Sequence, residues 1–274
     1  GCWGTSVGTC NFTTGDAMHI SAEFFKGHGM YSQTLYETIK EECGDFSDDA
    51  VVAEPCASAL KEMNDAVGTF DVYNIYDTCS TNESSTKHTH QSMVAAMSAQ
   101  SVSLGAHHST SSIRHPQLVG AALNDYPCGG DAVGKWLSQD SVVQALHVKS
   151  GLSGMTYNWG PYNVSGDLRP LYKKLAQKYH LLIYSGDTDA CVPFVGTETW
   201  TRELGFEVKD GWKPWLAQHM TRPGVQRAGY RIKYETPQGG QFTFATVQGA
   251  GHMVPTYKPH FALTMLQNFL SGEF

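Results

Sequence analysis

The sequence contains no apolar run near the roughly 18 residues that a membrane-spanning helix requires; its longest runs, such as Leu181–Tyr184, are strand-sized. Charge is scarce, at 16% of residues against about a quarter in ordinary globular chains, which excludes a disordered protein and a coiled coil. Basic residues are fewer than acidic ones, 19 against 26, and the net charge of −7 argues against a nucleic-acid partner. The seven cysteines include no C-x-x-C pair, so no zinc-ribbon spacing is present. No internal repeat is present. The chain starts at Gly1 with no basic, apolar leader, which fits either a removed leader or a piece of a longer protein.

What is present is a 274-residue chain, 41% hydrophobic, with 28 glycines and 11 prolines: enough for a large core with many turns, in one large domain or two modest ones. The cysteines stand at 2, 10, 43, 56, 79, 128 and 191, an odd number, so at least one has no partner within the chain. Three N-x-S/T sequons, at Asn11, Asn82 and Asn163, accompany them. Together they point to an oxidising, secretory-pathway history.

Residues 11–79 read as mainly helical. Ser32 is placed to cap a helix bearing Leu35, Tyr36 and Ile39 that stops at Gly44, and a second helix carries Leu60, Met63 and Val67 before Gly68. Residues 80–118 are rich in Ser, Thr and His and read as a polar loop. His88, His90, His107 and His108 lie there, but no cysteine or carboxylate is interleaved with them, so a solvated loop explains them better than a metal site. After Cys128 helix and strand alternate. A short helix carries Val142, Val143 and Leu146. An amphipathic helix carries Leu168, Leu171, Tyr172, Leu175 and Tyr179, and the strand Leu181–Tyr184 follows at once. This succession predicts a parallel sheet covered by helices. Alternation at Tyr230, Ile232 and Tyr234, then at Phe242 and Phe244, predicts a hairpin, and a last helix from about 259 to 270 should bury Ala262, Leu266 and Phe269.

Functional groups of an open α/β sheet gather just beyond the strand carboxyl ends. Two segments hold that position: Ser185-Gly186-Asp187-Thr188-Asp189, and Gly249-Ala250-Gly251-His252-Met253-Val254-Pro255. An acid followed later by a histidine is the chain order of the acid and base of an α/β-hydrolase triad. The imidazole accepts the nucleophile's proton, and a buried carboxylate on its other nitrogen sets the tautomer. At this level Asp187 and Asp189 both qualify as the acid, and either could instead cap the helix that contains Thr197–Leu204.

The segments YSGDTDACVPFVGTETW (184–200) and ATVQGAGHMVPTYKPHFAL (245–263) resemble the acid and histidine blocks of the serine carboxypeptidases, the cathepsin A-like and vacuolar enzymes. GCWGTSVGTC, EFFKGHGMYSQTLYETI, YNIYDTC and WLSQDSVVQALHV resemble other parts of that family, leaving 80–118 and 205–228 as the weakest regions. The resemblance implies an α/β-hydrolase fold, with residues 1–10 and 129–274 as a partial core and 11–128 as an inserted helical cap. It implies a triad acid at Asp189, a general base at His252, a structural carboxylate at Asp187, and a place for Met253 in the pocket of the leaving residue. It further implies the disulfides Cys2–Cys10, Cys43–Cys56 and Cys79–Cys128, which leave Cys191 over near the site. The implied substrate is the C-terminus of a peptide or protein, and no cofactor or metal is implied.

The family's serine lies in a G-x-S-x-G elbow, after a GGPG stretch that helps form the oxyanion hole, and the family versions of both motifs are absent from this sequence. The expectation is a chain that starts downstream of its nucleophile and lacks the first strands of its sheet, with the missing segment encoded upstream or supplied as a separate chain. Gly4-Thr5-Ser6-Val7-Gly8 matches G-x-S-x-G in letters, but only five residues precede Ser6, too few for the buried strand that an elbow follows. Ser153 has less support. An acyltransferase of the same architecture and a non-catalytic relative that binds proteins are the competing readings.

Overall fold

The computed structural model describes residues 15–68, 70–76, 136, 139–147, 167–218, 224–237 and 239–274. The chain divides into two compact units, one formed by Gly1–Tyr76 with Val164–Phe274 and the other by Asp77–Asn163.

In the first unit, α1 (Gly15–Gly27), α2 (Gln33–Cys43), α3 (Asp48–Val52) and α4 (Glu54–Val67) form a helical cluster. The Ser32 side chain accepts the Leu35 N–H, opening α2, and Gly44 closes it at φ 54°. Gly68 closes α4 at φ 71°. Ile39, Cys43, Cys56 and Met63 turn inward with Phe24 and Phe25, and a Cys43–Cys56 disulfide ties the end of α2 to the start of α4. The second unit contributes one described helix, α5 (Asp140–Ala145), on which Val142 and Val143 are half-buried and Leu146 beyond it is exposed.

The first unit continues with α6 (Arg169–Ala176), β1 (His180–Gly186), α7 (Phe194–Arg202), β2 (Glu207–Gln218), β3 (Val225–Glu235), β4 (Gln241–Val247), α8 (Val254–Tyr257) and α9 (Pro259–Leu270). The strands form one sheet in the order β1-β4-β3-β2. The expected parallel character is confined to β1 and β4, since β3 runs antiparallel to both of its neighbours. The tight turn at Thr236–Gly239, where Gly239 has φ 78°, brings β4 back along β3 and pairs Ile232 with Phe244. Strand β4 has neighbours on both sides and is buried from Phe242 to Val247. Trp200, Leu204, Tyr234 and Phe242 pack in one cluster; Trp215, Val247, Val254 and Met265 pack in another.

Strand β2 is the element that sequence patterning misses. Its residues EVKDGWKPWLAQ hold a Gly and a Pro, and most of them are exposed. It is the last strand in the order, and its pairing with β3 shifts register three times, the setting in which a strand tolerates Pro214. The inward stripe of α9 also differs from the expected one. Met265 is buried with Ala262 and Phe269 half-buried, whereas Leu266 is 50% exposed, because the helix rests on a stripe one position away. Helix α6 likewise leaves Leu171 exposed and buries Ala176; it ends there, and Tyr179, expected on its apolar face, lies beyond it and is exposed. Among the described residues of 11–128 all regular structure is helical. The boundaries expected at 10/11 and 128/129 lie outside the described residues.

Candidate active site

Parallel pairing of β1 and β4 decides where the two candidate loops go. Gly186, the last residue of β1, is registered against Val247, the last residue of β4, so both loops leave the sheet at the same edge. The loops are then stitched together. The Asp187 N–H donates to Val247 O, and the Thr188 N–H to Ala250 O at 3.0 Å. The Asp187 carboxylate accepts the Gly249 N–H at 2.6 Å. Contact is so close at Gly186 that an added Cβ would stand 2.1 Å from Ala250 O and 2.4 Å from Gly251 O. Only glycine fits there.

Asp189 and His252, separated by 63 residues in sequence, meet in this corner: His252 Nδ1 lies 2.9 Å from Asp189 Oδ2. Asp189 is 4% exposed, and its Oδ1 accepts the N–H groups of Cys191 at 2.9 Å and Val192 at 3.1 Å. A buried carboxylate that accepts three hydrogen bonds is held in one orientation. The His252 side chain is 38% exposed. Of the two acids left open by the sequence, Asp189 bonds the histidine and Asp187 bonds the backbone beneath it. Neither carboxylate caps the helix that follows, for α7 begins at Phe194 with no side-chain cap. Burial is the main influence on Asp187 and holds its carboxyl above the ordinary 3.8; the Gly249 N–H and the His28 and Lys258 side chains act in the other direction.

A third strand of backbone braces the corner, and the sequence reading missed its role. Val72 O accepts the N–H groups of Ala190 at 2.9 Å and Cys191 at 2.8 Å, Tyr73 O accepts that of His252 at 2.8 Å, and the Ile75 N–H donates to Thr188 O at 3.1 Å. Residues 72–75 therefore clamp the acid loop and the histidine loop together. The Tyr73 ring stands 5.1 Å from the imidazole, centroid to centroid. An added Cβ on Gly251 would lie 2.0 Å from Tyr73 O, so this approach too needs a glycine. A signal was available in Asp71-Val72-Tyr73-Asn74-Ile75-Tyr76. Asp71 accepts the Tyr73 N–H and Asn74 the Tyr76 N–H, two successive side-chain turns that shape the clamp.

Met253 follows the histidine, is half-buried, and precedes the short α8. Cys191 sits beside the pair: Asp189, Cys191 and His252 each offer one ligand-type atom within 4.8 Å of the others. Cys43 and Cys56 form the expected disulfide. Cys2, Cys10, Cys79, Cys128, Ser6, Ser153, the sequons at Asn11, Asn82 and Asn163, and the four loop histidines lie outside the described residues.

Comparison with known proteins places the chain in a family. The sequence model of the serine carboxypeptidase family matches residues 4–272. Serine carboxypeptidase-like 20 of Arabidopsis thaliana is 31% identical over 277 residues, which cover 91% of this chain and 52% of that protein. Serine carboxypeptidase-like 21 of the same plant is 30% identical over 284 residues, covering 91% of this chain and 54% of its own length. Serine carboxypeptidase 1 of Hordeum vulgare is 28% identical over 280 residues, covering 91% and 52%. The chain spans about half the length of these relatives. It belongs to the serine carboxypeptidase family, whose fold is the α/β hydrolase.

Proposed function

We propose that this member of the serine carboxypeptidase family carries the acid and the base of a Ser-His-Asp triad, and that the protein it serves releases C-terminal amino acids from peptides by acyl transfer to water. The observation that carries the reading is the 2.9 Å contact between a buried Asp189 and a partly exposed His252, at the carboxyl ends of two parallel strands. Asp189 holds the proton on Nδ1. Nε2 is then the lone-pair nitrogen that removes a proton from a nucleophilic hydroxyl and later returns it to the leaving amine. As imidazolium forms, the adjacent carboxylate stabilises it.

The nucleophilic serine and the oxyanion hole come from sequence outside these 274 residues, and Ser6 is not the nucleophile. The strands that extend the sheet beyond β1 come from the same segment, joined to this chain or bound as a second one. Residues 11–128 are the helical cap insertion of the hydrolase, and Met253, beside the base, lines the pocket of the leaving residue. The pairs Cys2–Cys10 and Cys79–Cys128 and glycans at Asn11, Asn82 and Asn163 suit folding in the secretory pathway. No helix among the described residues is long and apolar enough to cross a membrane.

The test joins this chain to the coding sequence that precedes Gly1 and measures release of C-terminal residues from peptides. Hydrolysis is expected, with kcat falling roughly 10⁴-fold in Asp189→Asn and roughly 10⁶-fold in His252→Ala. Wild-type rates in those variants, or labelling of the 274-residue chain alone at Ser6 by a fluorophosphonate, would overturn the reading.

A further inference from the structure

We infer that Asp189, Cys191 and His252 form a binding site for a thiophilic divalent cation of the zinc or cadmium type. An ion held there occupies the histidine that the triad needs. The site stands on geometry alone, while its inhibitory consequence rests on the base role proposed above.

Among the described residues these three are the one set of His, Cys, Asp or Glu side chains whose ligand atoms gather within 4.8 Å. Ligands on a tetrahedral zinc ion at about 2.0–2.3 Å stand roughly 3.5 Å apart, so small rotations suffice to close on an ion. One nitrogen, one sulfur and one oxygen suit a borderline-soft ion, and disfavour magnesium or calcium, which take oxygen ligands. The ligand-bearing backbone is already held. The Cys191 N–H is shared between Asp189 Oδ1 and Val72 O, and the His252 N–H is bound to Tyr73 O. Asp189 is 4% exposed, which distinguishes the set from the solvated acidic clusters common on protein surfaces. His252 is exposed and Cys191 half-buried, giving an ion a way in. Three protein ligands leave a fourth position for water.

Binding takes place on the thiolate, so the Cys191 thiol proton passes to solvent as the metal–sulfur bond forms. If the ion takes Nδ1, the neutral ring's remaining proton resides on Nε2, which then donates and cannot accept. If it takes Nε2, that lone pair is used. Either mode removes the general base, so zinc acts as a reversible brake.

Cobalt(II), a spectroscopic stand-in for zinc, titrated into the 274-residue chain without reductant tests the site. A thiolate-to-cobalt charge-transfer band with the intense d–d bands of a four-coordinate ion is expected. Cys191→Ser should abolish the charge-transfer band, and both it and His252→Ala should weaken binding at least about 10-fold. Near-ultraviolet circular dichroism checks that each variant is folded, with Cys191→Ala as the replacement if the serine variant is not. A band that persists without Cys191, or an affinity indifferent to both changes, overturns the site and places the ion on other thiols or on the loop histidines. In the longer, hydrolytic form, zinc should inhibit the parent at concentrations at least about tenfold below those needed for Cys191→Ser. Stoichiometric binding without inhibition would retain the metal site and overturn the base role of His252.

Discussion

Replacing Gly186 by alanine adds one methyl group at the point where the acid strand touches the histidine loop. The new Cβ would stand 2.1 Å from Ala250 O, where contacts under 3.0 Å essentially never occur, so strand and loop must separate by about 0.9 Å. Both atoms in conflict belong to backbone, and no flexible side chain can yield instead. Overpacking of this kind costs about 1–3 kcal/mol, which lowers Tm by roughly 2–4 °C per kcal/mol in a chain near this size. The displaced residues directly precede His252, so the 2.9 Å bond to Asp189 is stretched beyond hydrogen-bonding reach. A misplacement near 1 Å costs about 10²-fold in a hydrolytic form of the protein. Calorimetry measures the stability, and the downfield proton resonance of the imidazole N–H reports the bond. Gly211→Ala is the matched control, since nothing lies within 4 Å of its added Cβ. The control should melt at or slightly above the parent. If Gly186→Ala melts with the control and keeps the imidazole resonance, the argument that this glycine admits the histidine loop is wrong.

The remaining predictions concern the elements that hold the corner. Removing the Cys43–Cys56 bridge in the double alanine variant releases a loop of sequence separation 13 and should lower stability by about 3 kcal/mol, read as a shift in the urea midpoint; an unchanged midpoint refutes this. Asp189→Ala leaves the buried Val192 N–H without its acceptor and deprives the Cys191 N–H of one of its two, and should destabilise by about 1–3 kcal/mol at neutral pH; a smaller loss than in Asp65→Ala, an exposed ion pair on α4, would contradict the burial argument. Burial raises the folded pKa of Asp187 above 3.8, so its contribution to stability is full below 3.8 and is lost as pH rises through the folded value. Asp187→Asn keeps an oxygen for the Gly249 N–H and cannot ionise, so the stability gap should move in the variant's favour as pH rises above 3.8. A flat gap, or one of opposite slope, rejects that assignment.

Much of this protein is determined locally. Ser32, Gly44 and Gly68 delimit helices through caps and positive φ, effects that act within one turn of chain. Apolar alternation in β3 and the short turn after it mark the hairpin with β4, although β4 itself is buried on both faces. The order of an acid and then a histidine, each just past an apolar strand, was legible in the same local pattern. Tertiary structure decided the rest. Whether Asp187 or Asp189 faces His252 depends on how the loop turns after Gly186, and that turn is set by contacts with Ala250, Gly249 and Val72, all distant in sequence. Strand β2 forms against its propensity because β3 offers an edge that tolerates Pro214 and bulges. The exposure of Leu266 follows from which side of α9 the sheet meets, which periodicity alone leaves one position uncertain. The clamp at 72–75 carries no apolar pattern. Its work is done by backbone carbonyls, which every residue possesses, so only the folded chain reveals which of them hold the acid and the base together.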